Sequence, residues 1–87
     1  MKTKKEIAEF AKEEDYTFLF GAGMMYANDA ETRNGVVDLI EKADTYKLLS
    51  KNEVENGASE LLPEIENGCD VYEFIKYNSW QLYISVY

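Results

Sequence analysis

The chain has 87 residues, 46% of them hydrophobic, and carries 17 acidic residues against 9 basic ones and no histidine, a formal net charge of −8. This length and apolar content predict one small folded domain over residues 1–87, because disordered chains are poorer in apolar side chains. The negative charge disfavours nucleic acid and anionic membranes as direct partners.

The first third of the chain predicts a helix followed by a hairpin. Thr3-Lys4-Lys5-Glu6 has the spacing of a capping box, which predicts a helix from about Lys4 to Glu14. The aromatic run Tyr16–Phe20 predicts a strand that ends at Gly21-Ala22-Gly23, and Met24–Ala27 is a candidate for its hairpin partner.

The middle of the chain shows helical periodicity. After Asn34, apolar residues recur at intervals of three and four, which predicts a second helix over about Gly35–Leu49. The earliest start that the sequence allows for it is Ala30. Ser50-Lys51-Asn52-Glu53 is a second capping box and predicts a short turn that Asn56-Gly57 closes. A further helical segment is expected at Ser59–Glu66, with Pro63 near its beginning, because proline lacks the N–H that a helix interior requires.

Residues 70–77 and 80–87 show two different sequence patterns. Asp70-Val71-Tyr72-Glu73 resembles a third capping box and favours a short helix to Tyr77, although the aromatic and branched residues also suit a strand followed by a turn at Asn78-Ser79. From Trp80 to Tyr87 apolar and polar residues alternate, which predicts a strand with Trp80, Leu82, Ile84 and Val86 on its buried face.

Together these elements predict an α+β fold. We expect helices packed on a two- or three-stranded, largely antiparallel sheet built from Tyr16–Phe20 and Trp80–Tyr87. The sequence leaves open whether the last strand pairs with a second copy of the chain.

Few residues suit catalysis or metal binding. Without histidine, the usual general base and metal ligand are missing, so we expect no enzymatic activity and no metal or other cofactor. Cys69 has no basic neighbour in sequence and is predicted to be a small buried apolar residue. The segment from Asp29 resembles a calcium loop, but Arg33, Asn34 and Ile40 occupy positions that need an oxygen ligand, a glycine and an acid. A loop leading into a helix explains it better.

The location is predicted from what the chain lacks. No apolar run has the length of a signal-peptide core or a membrane span, and one cysteine cannot form an internal disulfide. We therefore expect a protein of a reducing cytoplasm.

Negative charge is concentrated in one segment, which contains no base between Lys51 and Lys76. Its seven acids are Glu53, Glu55, Glu60, Glu64, Glu66, Asp70 and Glu73. We predict that they form a surface for a basic, nucleic-acid-binding protein, with Tyr72 and Tyr77 as aromatic anchors. The alternative is a solvated face that only keeps the protein soluble.

Tyrosine is abundant, at seven residues. Tyr16, Tyr26 and Tyr46 occur in apolar patterns and are predicted at the core or its boundary. Tyr83 and Tyr87 fall opposite the buried face of the last strand. They indicate either a second layer of helices on that side or a regulatory module that assembles through this face or through its sheet edge.

A small, acidic, cysteine-poor α+β domain without a catalytic constellation resembles the inhibitors that phages and mobile elements direct against bacterial nucleases, notably anti-CRISPR proteins and other DNA mimics. The likeness lies in size, charge and type of fold, and it carries over no site residues. Immunity proteins against nuclease toxins are similar in length and acidity. One such group typically has a loop with paired tyrosines and a proline, which this chain lacks.

Overall fold

The computed structural model describes residues 1–87 as four α-helices, one 3₁₀ turn and five strands. In chain order these are α1 (Lys4–Glu13), β1 (Tyr16–Phe20), β2 (Gly23–Ala27), α2 (Ala30–Lys42), β3 (Thr45–Leu48), α3 (Lys51–Gly57), the 3₁₀ turn (Ser59–Leu61), α4 (Leu62–Glu66), β4 (Asp70–Lys76) and β5 (Trp80–Val86). The α+β class is confirmed. The sheet is larger than the predicted two or three strands.

The five strands form one sheet in the order β2-β1-β5-β4-β3, and all neighbours are antiparallel. The predicted last strand, β5, is the central one. Both of its sides are occupied, by β1 and by β4, so it has no free edge for a second copy. The free edges of the sheet belong to β2 and β3.

Helices cover both faces of the sheet. On one face, α1 and α2 pack over the larger core cluster, which includes Phe18, Tyr72, Phe74 and Ile84. On the other face, α3, the 3₁₀ turn and α4 pack over a smaller cluster of six buried residues. Those six are Leu19, Leu49, Val54, Ala58, Leu61 and Val71.

The helix starts follow the sequence signals. Both capping boxes are complete: the Thr3 and Ser50 hydroxyls accept from the amides of Glu6 and Glu53, whose carboxylates accept from the Thr3 and Ser50 amides in return. Pro63 lies in the first turn of α4, as expected. The second helix begins at its early limit, Ala30.

The loop predicted from Asp29 is accordingly much shorter than expected. Asp29 is the N-cap of α2 and accepts from the Thr32 amide at 2.8 Å, so most of that segment is helical.

Two helix predictions are wrong. The second helix ends at Lys42, and its expected last turns form strand β3 instead. The Asp44 amide donates to the carbonyl of Ile75 at 2.8 Å, and the Tyr46 ring stacks on that of Phe74 with centroids 5.3 Å apart. Pairing with β4 therefore overrides the helical spacing at this point.

The favoured helix over Val71–Tyr77 is also wrong, and the alternative of a strand followed by a turn at Asn78-Ser79 is confirmed, since this segment is strand β4 and then a turn. Val71, Tyr72 and Phe74 are all buried, so β4 presents apolar groups to both faces of the sheet. A strand buried on both faces lacks clean alternation, which is why its sequence can mimic a helix.

Candidate partner-binding surface

The predicted acidic segment folds into three short helical elements and one strand. Glu53 and Glu55 lie on α3, Glu60 in the 3₁₀ turn, Glu64 and Glu66 on α4, and Asp70 and Glu73 on β4. The three helical elements cover one face of the sheet and are held there by apolar side chains that face inward, whereas β4 is a strand of the sheet itself. The structure separates the seven acids into two groups with different surroundings.

Glu53 and Glu73 lie beside Lys47, a lysine from outside the segment. The Lys47 ammonium forms an ion pair with the Glu53 carboxylate, and Lys47 is also the cross-strand partner of Glu73. The hydrogen bond from Lys47 lowers the pKa of Glu53, and the same bond raises the pKa of Lys47. Sequence reasoning missed Lys47 because only the β3–β4 pairing brings it to these acids.

The same two acids line a hollow of about 280 Å³ together with Leu49, Asn56, Gly57 and Tyr83. Burial, with a further contribution from Glu73, raises the pKa of Tyr83 to about 12. A carboxylic acid acting near neutral pH needs a raised pKa. The pKa of Glu53 is shifted the opposite way, so its environment favours a permanent charge rather than proton transfer.

We call the second group the acidic layer. It consists of Glu55, Glu60, Glu64, Glu66 and Asp70. Glu64 is half-buried and the others are exposed, and none belongs to the three ion pairs of the structure. No Lys or Arg occurs among residues 52–75, which contain all five; the nearest bases in sequence are Lys51, the first residue of α3, and Lys76, the last residue of β4.

Cys69 lies close to two of these acids, Glu64 and Asp70. Its amide donates to the Glu64 carbonyl at 2.9 Å, and burial together with the nearby Glu64 and Asp70 charges raises the pKa of its thiol. The side chain is half-buried rather than fully buried as predicted. Because a raised pKa keeps the thiol protonated, Cys69 has low nucleophilic reactivity.

The two predicted aromatic anchors do not join the acidic layer. Tyr72 is only 1% exposed, and its hydroxyl accepts from the Lys2 amide at 3.0 Å, so its prediction as a contact residue is wrong. Tyr77 is 61% exposed but follows the far end of β4. A strand rises about 3.4 Å per residue, so Tyr77 lies roughly 20 Å from Asp70.

The other tyrosines have mixed outcomes. Tyr16 is buried and Tyr46 half-buried as predicted, whereas Tyr26 is 57% exposed on β2. Tyr83 packs against the cluster beneath α3 and α4, so the second helical layer covers its face of β5. Tyr87 lies beyond the strand end and packs edge-on against Phe10 of α1, with centroids 5.1 Å apart. These two tyrosines therefore do not form one exposed face.

The carboxylates with lowered pKa values predict sensitivity to acid. Hydrogen bonds lower the pKa of Glu6, Asp29, Asp44 and Glu53 below the ordinary values of 4.5 for Glu and 3.8 for Asp. A group with a lowered folded-state pKa stabilises the fold above its unfolded-state pKa, and this contribution is lost as pH falls. We expect the free energy of unfolding to decrease below pH 4.5.

Urea unfolding at a series of pH values measures this dependence. Glu53→Gln should flatten the acid limb, because its side chain no longer titrates. An equally steep acid limb in the variant would contradict the assignment of Glu53 to the Lys47 ion pair and the α3 capping box.

Comparison of the chain with protein-family models, curated proteins and solved structures found no match. No helix combines the length and apolar character needed to cross a bilayer. The structure contains no group of three or more His, Cys, Asp or Glu side chains that could hold a metal ion.

Proposed function

We propose that this protein is a non-catalytic inhibitor that uses the acidic layer to occupy the basic nucleic-acid groove of another protein, such as a nuclease or CRISPR effector. The supporting observation is that five carboxylates without ion-pair partners lie within residues 52–75, which include no base; four of them are on α3, the 3₁₀ turn and α4, and Asp70 begins β4. An excess of negative charge on a surface attracts a Lys- and Arg-lined groove and speeds association with it.

The helical elements that carry most of these carboxylates pack on the sheet through apolar side chains. Val54 of α3, the linking residue Ala58 and Leu61 of the 3₁₀ turn are each 0% exposed, and Leu62 and Ile65 of α4 are partly buried against the same cluster. A rigid surface loses little conformational entropy on binding. Nucleic acid presents closely spaced phosphates, and carboxylates fixed on adjacent short helices offer the same groove a comparable, sparser array.

Two features favour a nucleic-acid groove as the target: the negative charge of this protein, and its resemblance in size and fold type to phage and mobile-element inhibitors. The competing explanation is that the acidic layer only keeps the protein soluble. The two differ in one respect: a binding surface loses its partner when its charges are reversed at particular positions, whereas a solubilising surface responds only to total charge.

Affinity capture from a lysate of the native host tests the proposal with three baits. These are the wild type, a layer variant carrying Glu60→Lys, Glu64→Lys and Glu66→Lys, and a matched control carrying Glu9→Lys, Glu13→Lys and Asp38→Lys. The control changes net charge equally on exposed positions of α1 and α2, across the sheet. A nucleic-acid-binding protein should be captured by the wild type and the control and lost with the layer variant. Equal recovery with all three baits would contradict the proposal.

A further inference from the structure

The edge strand β2 is exposed and uncharged. Met24, Met25 and Tyr26 are 54%, 41% and 57% exposed, and no charged residue occurs from Gly21 to Asn28. The other edge, β3, is a residue shorter and carries Lys47, and charge and shortness are the usual protections of a free sheet edge. β2 has neither the charge nor a helix over its free side, so it can accept another strand.

The hairpin fixes which backbone groups of β2 point outward. Gly21 and Ala22 form a two-residue turn, with Gly21 at φ 68°, and Phe20 pairs with Gly23 across it. The pair that closes such a turn is hydrogen-bonded, and bonded and non-bonded pairs then alternate along the ladder. The N–H and C=O groups of Met24 and Tyr26 are therefore directed to the free edge.

We propose that a second copy of this chain pairs antiparallel with β2, with the two-fold axis at Met25. In this register Met24 of each copy lies opposite Tyr26 of the other, and all outward N–H and C=O groups of these residues are bonded. Each such pair also places a methionine sulfur beside an aromatic ring, which is a favourable contact. Met25 faces Met25 of the second copy on the opposite face of the sheet.

Charge placement favours the antiparallel direction. Two acids lie near the Ala27 end of β2: Asp29 follows the strand, and Asp15, which precedes the partner residue Tyr16, is ion-paired with Arg33. The turn end, Gly21–Gly23, has no charge. An antiparallel two-fold sets the acidic end of each copy against the uncharged end of the other, whereas parallel pairing would bring the acids together.

The interface is small, so the dimer should be weak. Five residues form β2, whereas a standard stable interface contributes about 20–30 residues a side. Two chains of net charge −8 also repel each other. Salt should therefore strengthen this dimer, while it should weaken a complex made through the acidic layer. The two proposals rest on different elements, and either can fail without the other.

Sedimentation across a concentration series, in low and high salt, tests the association. The wild type should shift from monomer to dimer as concentration rises, more readily in high salt, and an edge variant with Met24→Lys and Tyr26→Lys should stay monomeric. A control with Tyr77→Lys and Ser79→Lys adds equal charge in the exposed β4–β5 loop and should dimerise like the wild type or better. A wild type that is monomeric at millimolar concentration, or an edge variant that still dimerises, would overturn the proposal.

Cysteine cross-linking tests the register in a Cys69→Ser background. Directly facing non-hydrogen-bonded residues have Cα atoms about 4.5 Å apart, within the range that a disulfide spans. Met25→Cys should thus give a rapidly oxidised covalent dimer. Met24→Cys and Tyr26→Cys should react slowly, because neither faces its own copy. Fastest cross-linking at position 24 or 26, or none at any of the three positions, would overturn the two-fold at Met25.

Discussion

Reversing Glu60, Glu64 and Glu66 to lysine should weaken the complex with the captured partner by well over tenfold at low salt. Each reversal removes an attraction to the basic surface and adds a repulsion, and a tenfold loss corresponds to only about 1.4 kcal/mol. The fold should survive, because none of the three side chains takes part in an ion pair, and all three lie at solvent-exposed or half-buried positions.

Titration of the purified partner at low and physiological salt measures the effect. The wild-type affinity should fall steeply with salt, since the Debye length shortens to about 8 Å at physiological ionic strength. The variant should show a much flatter dependence. The control with Glu9→Lys, Glu13→Lys and Asp38→Lys should bind within a few fold of the wild type. Unchanged affinity in the layer variant would rule out binding through these acids.

Phe74→Ala should destabilise the fold by about 3–5 kcal/mol, the usual cost of deleting a buried phenylalanine ring. Phe74 is 0% exposed, lies on β4 next to the central strand, and stacks on Tyr46 at an interplanar angle of 13°. Its removal leaves a cavity in the larger core cluster and frees the ring that holds β3 against β4. A small domain has little stability to spare, so much of the protein should be unfolded at 37 °C.

Equilibrium denaturation in urea measures this loss. Tyr77→Ala, three residues further along the chain but 61% exposed, is the matched control and should change stability by about 0.5 kcal/mol or less. A Phe74→Ala variant as stable as this control would contradict the position of Phe74 in the core.

Local signals in the sequence predicted the parts of the fold that local interactions determine. The capping box at Thr3 predicted the start of α1 and the one at Ser50 marked the start of α3, where only a short turn was expected, because a cap is satisfied within four residues. The alternation from Trp80 to Val86 predicted β5 because Leu82, Ile84 and Val86 are all buried on one face.

Elements that depend on distant partners were not predicted correctly. Asp70 and Glu73 have capping-box spacing, which favoured a helix over the strand alternative, yet this segment pairs with β5 along its whole length from Asp70 to Lys76. The Thr45–Leu48 segment continued a helical spacing, yet it pairs with β4. In both cases hydrogen bonds between strands far apart in sequence outweigh a weak local preference.

The candidate site was predicted in part for the same reason. Acid content along the chain identified the segment that carries the acidic layer, but only the fold shows that Lys47 engages Glu53 and that Tyr72 is buried. The Met24–Tyr26 segment was predicted as part of a hairpin strand. Only the strand order shows that no other strand of the sheet lies on its outer side.

Mapping the partner's footprint by amide chemical-shift changes in the isotope-labelled protein tests the central claim most directly. Binding through the acidic layer should concentrate the largest changes between Glu53 and Asp70 and leave β2 and the β4–β5 loop nearly unchanged. Changes confined to β2, to that loop or to the α1–α2 face, with Glu53 to Asp70 unaffected, would contradict it.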